Sequence, residues 1–552
     1  MKASKVTFLI FLTMISLCIV NTQPVKSQNN EIIYLQGEGS ISTSTNATVP
    51  IQWVGDAFTL TDNIQNYSIS ILSDNIVVDG AGYTLYATGD IGIDLSYRSD
   101  VTIKNIRIES TVYGIYLWNS TRNTVSGNTL SYNVYGIHIL EASQNSIIGN
   151  SIIDNGFGII LDKSSNNILR NNILDSNNNL VVYGGEASHF DNDIDNSNIV
   201  NGKKAYYLVG ERNLVINPST YPDVGYLALV NCQNITVEYL ELVNNGHGLL
   251  LAFTTGSTVS QNDITANSIG IGLFSASDNF IIDNNIVDNF RGIQFSNSSN
   301  RNSISLNNIT RNTEGMFLFN SVQNSITSNN ITNNDIGIGF KRSSNNMIRG
   351  NFFISNEEQV YDMNNDDTTI PISTNIWDFS FQLGGNYWSD YTGVDIKSGA
   401  GQNLTGSDGK GDTPYTIYGN NIDKFPLMPY GSPSAISIIS PQNKTYTTTD
   451  ILINYIASDP SSLIKYSLDG QANVTINEPT TLRGLALGVH SLTVYSQDTD
   501  GKTGISETIY FTISQGTEPT QSEPFPTTWI AVIVVIVAVG VALLYFLKIK
   551  KK

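Results

Sequence analysis

Glycine recurs at a fixed interval along much of this chain, and that interval limits what the chain can fold into. Gly114, Gly136 and Gly158 lie 22 residues apart, and each opens a run of glycine, apolar, any residue, apolar. Gly248, Gly270, Gly292, Gly315 and Gly337 repeat the pattern at steps of 22, 22, 23 and 22. Eight residues before most of these glycines stands an asparagine. The Asn series is Asn128, Asn150, Asn171, Asn262, Asn284, Asn307, Asn329 and Asn351. Apolar residues keep the same register: Val125, Ile147 and Ile168 fall three before the Asn, and Leu130, Ile152 and Ile173 two after it. Each unit therefore holds three short alternating runs separated by Asn, Ser, Asp or Gly, all too short for a helix.

A unit this small cannot bury its own apolar face and must stack on its neighbours. The spacing predicts an all-β chain, a right-handed parallel β-helix with about 22-residue coils and three short strands per coil. Leucine-rich repeats have a similar period, but their leucine-and-asparagine consensus is absent. Stacking places like residues over like residues, roughly 4.8 Å apart. An inward Asn column can then bond to itself from coil to coil, so the abundant amides are read as scaffold. Between Gly158 and Gly248 the signature weakens over about four coils. The stack is expected over 60–360, as one continuous rod of roughly 13 coils and on the order of 60 Å. Residues 28–59 are assigned as an N-terminal cap and 361–432 as a C-terminal cap, because an open β edge invites aggregation.

The flanks have other textures. The opening MKASKVTFLIFLTMISLCIV carries Lys2 and Lys5 before an uncharged run, which reads as a signal peptide over 1–27. Cys232 is then the one cysteine of the mature chain, which excludes an intramolecular disulfide. Residues 433–514 contain about seven alternating strands and are read as an immunoglobulin-like β-sandwich without its disulfide. A Pro/Thr-rich stalk follows over 515–528. Residues 529–547 are uncharged and long enough for one transmembrane helix, and the lysine-rich tail 548–552 belongs on the cytoplasmic side. The expected location is the cell membrane, single-pass, with the bulk of the chain extracellular. A net charge of −19 repels phosphate backbones and argues against nucleic acid as a partner.

Three long segments resemble one family. DAFTLTDNIQNYSISILSDNIVVDGAGYTL, VNGKKAYYLVG and VNCQNITVEYLELVNNGHGLLL are similar to the NosD-like β-helix family, also called the CASH domain of carbohydrate-binding proteins and sugar hydrolases. GGNYWSDYTGVD and DGKGDTPYTIYGNNIDKFPLMPY resemble the segment that closes many archaeal members. The sandwich and C-terminal anchor look like common additions in archaeal surface proteins. The resemblance implies a copper-related accessory role beside an ABC transporter and a nitrous oxide reductase. Copper wants clustered His, Cys and Met. Here His138, His189, His247 and His490 are widely spaced, and no HxH, CxxC or MxxM occurs.

Successive coils can also line up acids for sugar chemistry, since equivalent side chains lie about 5 Å apart, near the spacing of a retaining carboxylate pair. Asp154 and Asp175 each follow a marker Asn by four residues and are the catalytic candidates, with Asp191, Asp193 and Asp195 near the continuing column. The competing reading is solvated turn aspartates. Gly246-His247-Gly248 is similar to the GHG of polygalacturonases, but the partners of that motif are missing, and Gly248 belongs to the glycine column. SDGKGDTP offers Asp408 and Asp412 to a structural Ca²⁺, against an ordinary Asp-Gly turn. Tyr113, Tyr116, Trp118, Tyr132 and Tyr135 cluster over two coils, and Phe274, Phe280, Phe290 and Phe295 cluster later. Phe295 sits on an apolar ladder and is core, whereas Trp118 follows ladder residue Leu117, faces outward by alternation, and is the preferred sugar contact. Glycosylation sequons start at Asn46, Asn66, Asn119, Asn234, Asn297, Asn308, Asn330, Asn403, Asn443 and Asn473. Repeat positions such as Asn308 and Asn330 can fall on the inward side. The reading that emerges is a membrane-anchored surface module that binds carbohydrate, an envelope component or a surface-layer protein. A polysaccharide-active enzyme (lyase, hydrolase or epimerase) and a copper accessory stay as the alternatives.

Overall fold

The computed structural model describes residues 31–87, 89–366, 371–378, 380–406, 408–428, 436–457, 463–497 and 503–514. The signal-like segment, the stalk, the apolar run 529–547 and the tail lie outside the described residues. Among the described residues no helix is long and apolar enough to cross a membrane. The chain divides into two compact units, Met1–Met428 and Pro429–Lys552.

The first unit is a parallel β-helix, and the repeat explains why. Each coil has one long strand and two short ones, and like strands of successive coils pair in parallel. The glycine column is needed for close approach between coils. A Cβ on Gly114 would sit 2.6 Å from the Gly136 carbonyl oxygen, and one on Gly136 would sit 2.7 Å from that of Gly158. The asparagines form more than the one inward column expected from the sequence. Columns start at Asn123, Asn128 and Asn133 in the early coils, and others at Asn245, Asn262 and Asn279 in the later ones. Asn150 shows the chemistry. Its Nδ2 donates to Asn172 Oδ1 at 3.0 Å and to the Val125 carbonyl at 2.9 Å. Its Oδ1 accepts from the N–H and the Nδ2 of Asn128. A buried amide satisfied in this way avoids the desolvation penalty of an unpaired one, about 1–3 kcal/mol.

Two expectations need correction. First, one coil keeps the 22-residue step where the expected series falls one residue short: the ladder residue is Asn172, while Asn171 takes a left-handed turn with φ 54°. Leu169 and Leu174 therefore fill the interior, while Ile168 and Ile173 are exposed, because a one-residue slip flips every side chain to the other face. The two adjacent asparagines made the sequence ambiguous here.

Second, the coils do not form one continuous rod. In the early coils the long strands, from Glu31–Gln36 to Asn178–Tyr183, make their own sheet. At Asn201 and Gly202 both φ angles are positive, 51° and 75°, and Ile199–Val200 turns back antiparallel onto Lys203–Val209. A two-residue hairpin with positive φ at both positions suits Asn-Gly. From there the long strands continue the sheet that the short third strands had built, so one 15-stranded sheet runs through both stacks. The interior changes sides as the direction reverses. Leu227, Leu229, Leu249 and Leu251 belong to the later core, while Tyr226, Ala228, Leu250 and Ala252 pack with the earlier one. Strand Val224–Val230 is buried along its whole length, which is why VGYLALV reads as a continuous apolar run. The weak signature after Gly158 marks this junction.

The expected N-terminal cap is partly coil, since Glu31–Gln36 already pairs in parallel with Tyr67–Ile71. At the far end Trp388 stacks between Phe353 and Tyr415, each at 4.4 Å. Buried Asp423 accepts from the Asn386 and Phe425 N–H groups and from Trp388 Nε1, and burial pushes its carboxyl up to about 6.

The second unit has one sheet of Ile436–Ser440, Ile451–Ala457 and Thr480–Leu482. A larger sheet is built on Gly488–Gln497 with Leu463–Leu468 and Ile509–Ile513. Ile453, Leu482, Val494 and Phe511 share one core between the two.

Candidate functional site

In the early stack the outer face of the long strands is aromatic, partly open to solvent from Tyr113 to Phe157 and covered at Ile160 and Val181. Inner positions such as Ile115, Leu117, Ile137 and Ile139 are fully buried. The alternate positions line up in columns because the coils are in register. Tyr113, Tyr135 and Phe157 stack at 4.9 and 5.2 Å. Beside them Asp94, Tyr116, His138 and Ile160 follow one another. Trp118, Leu140, Asp162 and Tyr183 form the third column. Trp118 faces outward as alternation required, and its ring lies 4.8 Å from that of Tyr97.

Half-burial among rings sets the electrostatics. Burial holds His138 down to about 4, so it is neutral at pH 7, and its Nδ1 is sealed without a hydrogen-bond partner. Burial raises the Asp162 carboxyl, as it raises the Tyr113 and Tyr116 hydroxyls. Tyr183 is pushed up to about 12, also by burial. At the upper edge Tyr183 meets His247 at 5.2 Å and Phe274 at 6.3 Å. The aromatic face thus joins the outer face of the later long strands, where Arg291, Gln294, Glu314 and Phe317 lie.

Other candidates are placed differently. Asp175 pairs with Ile153, one residue out of step with Asp154, so the two carboxylates are not stacked equivalents. Asp154 occupies a left-handed turn with φ 55°. Arg170 pairs with both Asp193 and Asp195. His247 is sealed in apolar surroundings, and burial holds it down to about 3. The carboxylates of the SDGKGDTP segment already take protein donors. Asp408 accepts from the Gly399 and Lys410 N–H groups, and Asp412 from that of Lys397. Among the described residues no group of three or more His, Cys, Asp or Glu is placed to hold a metal ion. Phe295 is core, Phe274 lies at the junction, and Phe280 is exposed on a different sheet. None of the ten sequon asparagines is buried: Asn308 and Asn330 form an outward amide ladder with Asn285.

Sequence reading found Tyr113, Tyr116, Trp118 and Tyr135 but missed His138, Phe157, Asp162 and Tyr183. The signal was available: His138 and Phe157 stand one repeat from Tyr116 and Tyr135, and Asp162 and Tyr183 stand two and three coils along the column of Trp118.

The site is a ringed, half-buried face on a parallel β-helix. A family profile described as periplasmic copper-binding protein (NosD) matches residues 10–205 and again 190–393, and the chain belongs to that family. The two matches overlap around Asn201 and Gly202, where the stacks meet. No curated protein sequence matches the chain. Solved structures with some likeness include a mutant of the periplasmic alginate epimerase AlgG, 13% identical with a TM-score of 0.27, covering 62% of this chain and 82% of that one. The A-module of mannuronan C-5 epimerase AlgE6 from Azotobacter vinelandii is 13% identical, with a TM-score of 0.24 and coverage of 63% and 90%. The Dettilon tailspike protein gp208 is 12% identical, with a TM-score of 0.24 and coverage of 82% and 84%. Likeness at this level transfers no activity.

The copper in the family description can be tested against the donors present. Cys232 is buried with its Sγ against the Leu208 and Val230 carbonyls, and burial raises its thiol. His189 Nδ1 accepts from the Gly185 N–H, and His490 is paired with Asp469. His138 and His247 sit among rings. These residues do not make a copper donor set.

Proposed function

We propose that this chain is an exported surface module that binds a glycan through the aromatic face of its early coils. The carrying observation is the column of Tyr113, Tyr135 and Phe157, half-exposed and flanked by Tyr116 and outward Trp118. Rings left open to water at coil spacing offer a stacking surface for successive sugars. Export and single-span anchoring rest on the signal-like residues 1–27 and the apolar run 529–547. In this reading the second unit is an immunoglobulin-like spacer and residues 515–528 are a stalk.

A polysaccharide-active enzyme is the second reading, and Asp162 favours it. Its carboxyl is raised by burial and stands in the Trp118 column next to Tyr183, as a general acid would need. The test passes the purified protein over a panel of neutral and acidic polysaccharides and reads both retention and new chain ends. Retention without new ends, weakened by Trp118→Ala, is the expected result. New chain ends abolished by Asp162→Asn would replace binding with catalysis.

A further inference from the structure

Three exposed arginines each grip a carboxylate one coil away through two contacts, and the Arg291–Glu314 pair differs from them. Arg122 grips Asp100, Arg301 grips Asp278 and Arg311 grips Asp288, each with Nε and Nη2 on the two carboxylate oxygens. These pairs are largely exposed and complete. Arg291 and Glu314 are mostly buried, with side-chain exposures of 16% and 3%. Yet they share one contact, Arg291 Nε to Glu314 Oε2 at 2.5 Å. Arg291 Nη1 donates to Gln294 Oε1 at 3.0 Å. Nη2 of Arg291 and Oε1 of Glu314 take no partner among the described residues, and neither atom is sealed from solvent. A buried ion pair is costly unless its remaining donors and acceptors are satisfied.

The surroundings hold this incomplete pair in place. The Arg291 guanidinium lies 4.2 Å over the Phe317 ring. The far side of that ring is packed over Gly339, where a Cβ would come within 3.0 Å of Phe317. Gln294 is fixed from its other end by donating to Ser296 Oγ at 3.0 Å. Phe317 and Ser296 are thus positioning residues. Ser296 is the register neighbour of Phe274, which touches Tyr183 at the end of the aromatic face.

We infer that Arg291, Gln294 and Glu314 form a clamp for two neighbouring hydroxyls of a neutral sugar residue. The inference rests on the glycan-binding reading above and names its ligand class. One hydroxyl accepts from Arg291 Nη2 while its neighbour donates to Glu314 Oε1, which completes both valences. A uronate is disfavoured because its carboxylate would face Glu314. Asp94, Asp162 and Glu141 border the aromatic face as well, and nearby Lys163 is paired with Glu141. Like charges brought together cost affinity and suppress wrong partners.

The test uses the full chain in detergent with β-glucan, galactomannan and starch as neutral probes, and alginate and polygalacturonate as acidic ones. At least one neutral polymer is retained and the acidic ones are not. Glu314→Gln weakens that retention about tenfold with an unchanged thermal midpoint, as loss of one charge-assisted bond should. Gln294→Ala, which frees the guanidinium without touching the ion pair, weakens it in the same direction and serves if Glu314→Gln fails to fold. Retention weakened by Tyr135→Ala but not by either clamp variant overturns the clamp and leaves the binding reading standing. Preference for the acidic polymers overturns the neutral class. No retention of any of the five overturns the binding reading and the clamp with it.

Discussion

Strands Tyr135–Leu140 and Val224–Val230 do the same job in their coils but meet different surroundings. The first buries Ile137 and Ile139 and leaves Tyr135, His138 and Leu140 facing outward. The second is buried on both faces, because the earlier core covers what would be its outer side. The repeat therefore dictates the inner face and the turns, while the outer face depends on what lies against it. An uncovered outer face is free to be polar, and elsewhere it is: Ser303, Ser305, Ser325 and Thr327 occupy outward positions on another sheet. Aromatic residues on an uncovered face are therefore informative, as the repeat does not ask for them.

This contrast can be broken from its covered side first. Leu250→Ala, at a junction position with no exposure, removes packing toward the earlier core and should cost about 3–4 kcal/mol. The corresponding outward change in the early stack, Leu140→Ala, should cost less than about 1 kcal/mol. Chemical denaturation of both variants measures the difference, and equal costs would mean that the junction is not sealed.

The next effect tests whether both stacks share one turn chemistry. Asn150→Ala and Asn307→Ala each leave the amide of the preceding coil without its acceptor. Each should cost about 2–3 kcal/mol. A loss confined to one stack would show that the ladders are not equivalent.

A third effect is pH-dependent. Burial holds His247 down to about 3 and His138 to about 4, below the usual 6.5. Each ring is neutral in the folded state, so its contribution is intact above pH 6.5 and is lost as pH falls toward the folded value. His247→Leu should therefore flatten the drop in thermal midpoint between pH 7 and pH 4. An unchanged drop would place the sensitivity elsewhere. The smallest stability effect belongs to the aromatic face. Tyr135→Ala should shift the thermal midpoint little, while weakening glycan retention several-fold.

Much of this architecture was legible because stacking forces a fixed period onto the sequence. The glycine interval located the long strands, and the Asn series located one ladder of several. What escaped has physical reasons. Asn171 and Asn172 are chemically identical neighbours, and only the interior decides which one enters the ladder. The reversal at Asn201 and Gly202 is a local hairpin signal, but the exchange of interior sides is a tertiary fact. Asp154 and Asp175 were paired by counting from the wrong asparagine. The Arg291–Glu314 pair could be matched by repeat position, Arg291↔Glu314, yet its incompleteness exists only in three dimensions.

The most direct test of the central claim is hydroxyl-radical footprinting of the full chain with and without a retained polysaccharide. The account predicts protection of Tyr113, Tyr116, Trp118, Tyr135 and Phe157. It predicts unchanged oxidation of Tyr132, Tyr239 and Phe280, which are 57%, 57% and 52% exposed away from that face. Protection of those three residues with no change at Tyr135 and Trp118 would contradict it.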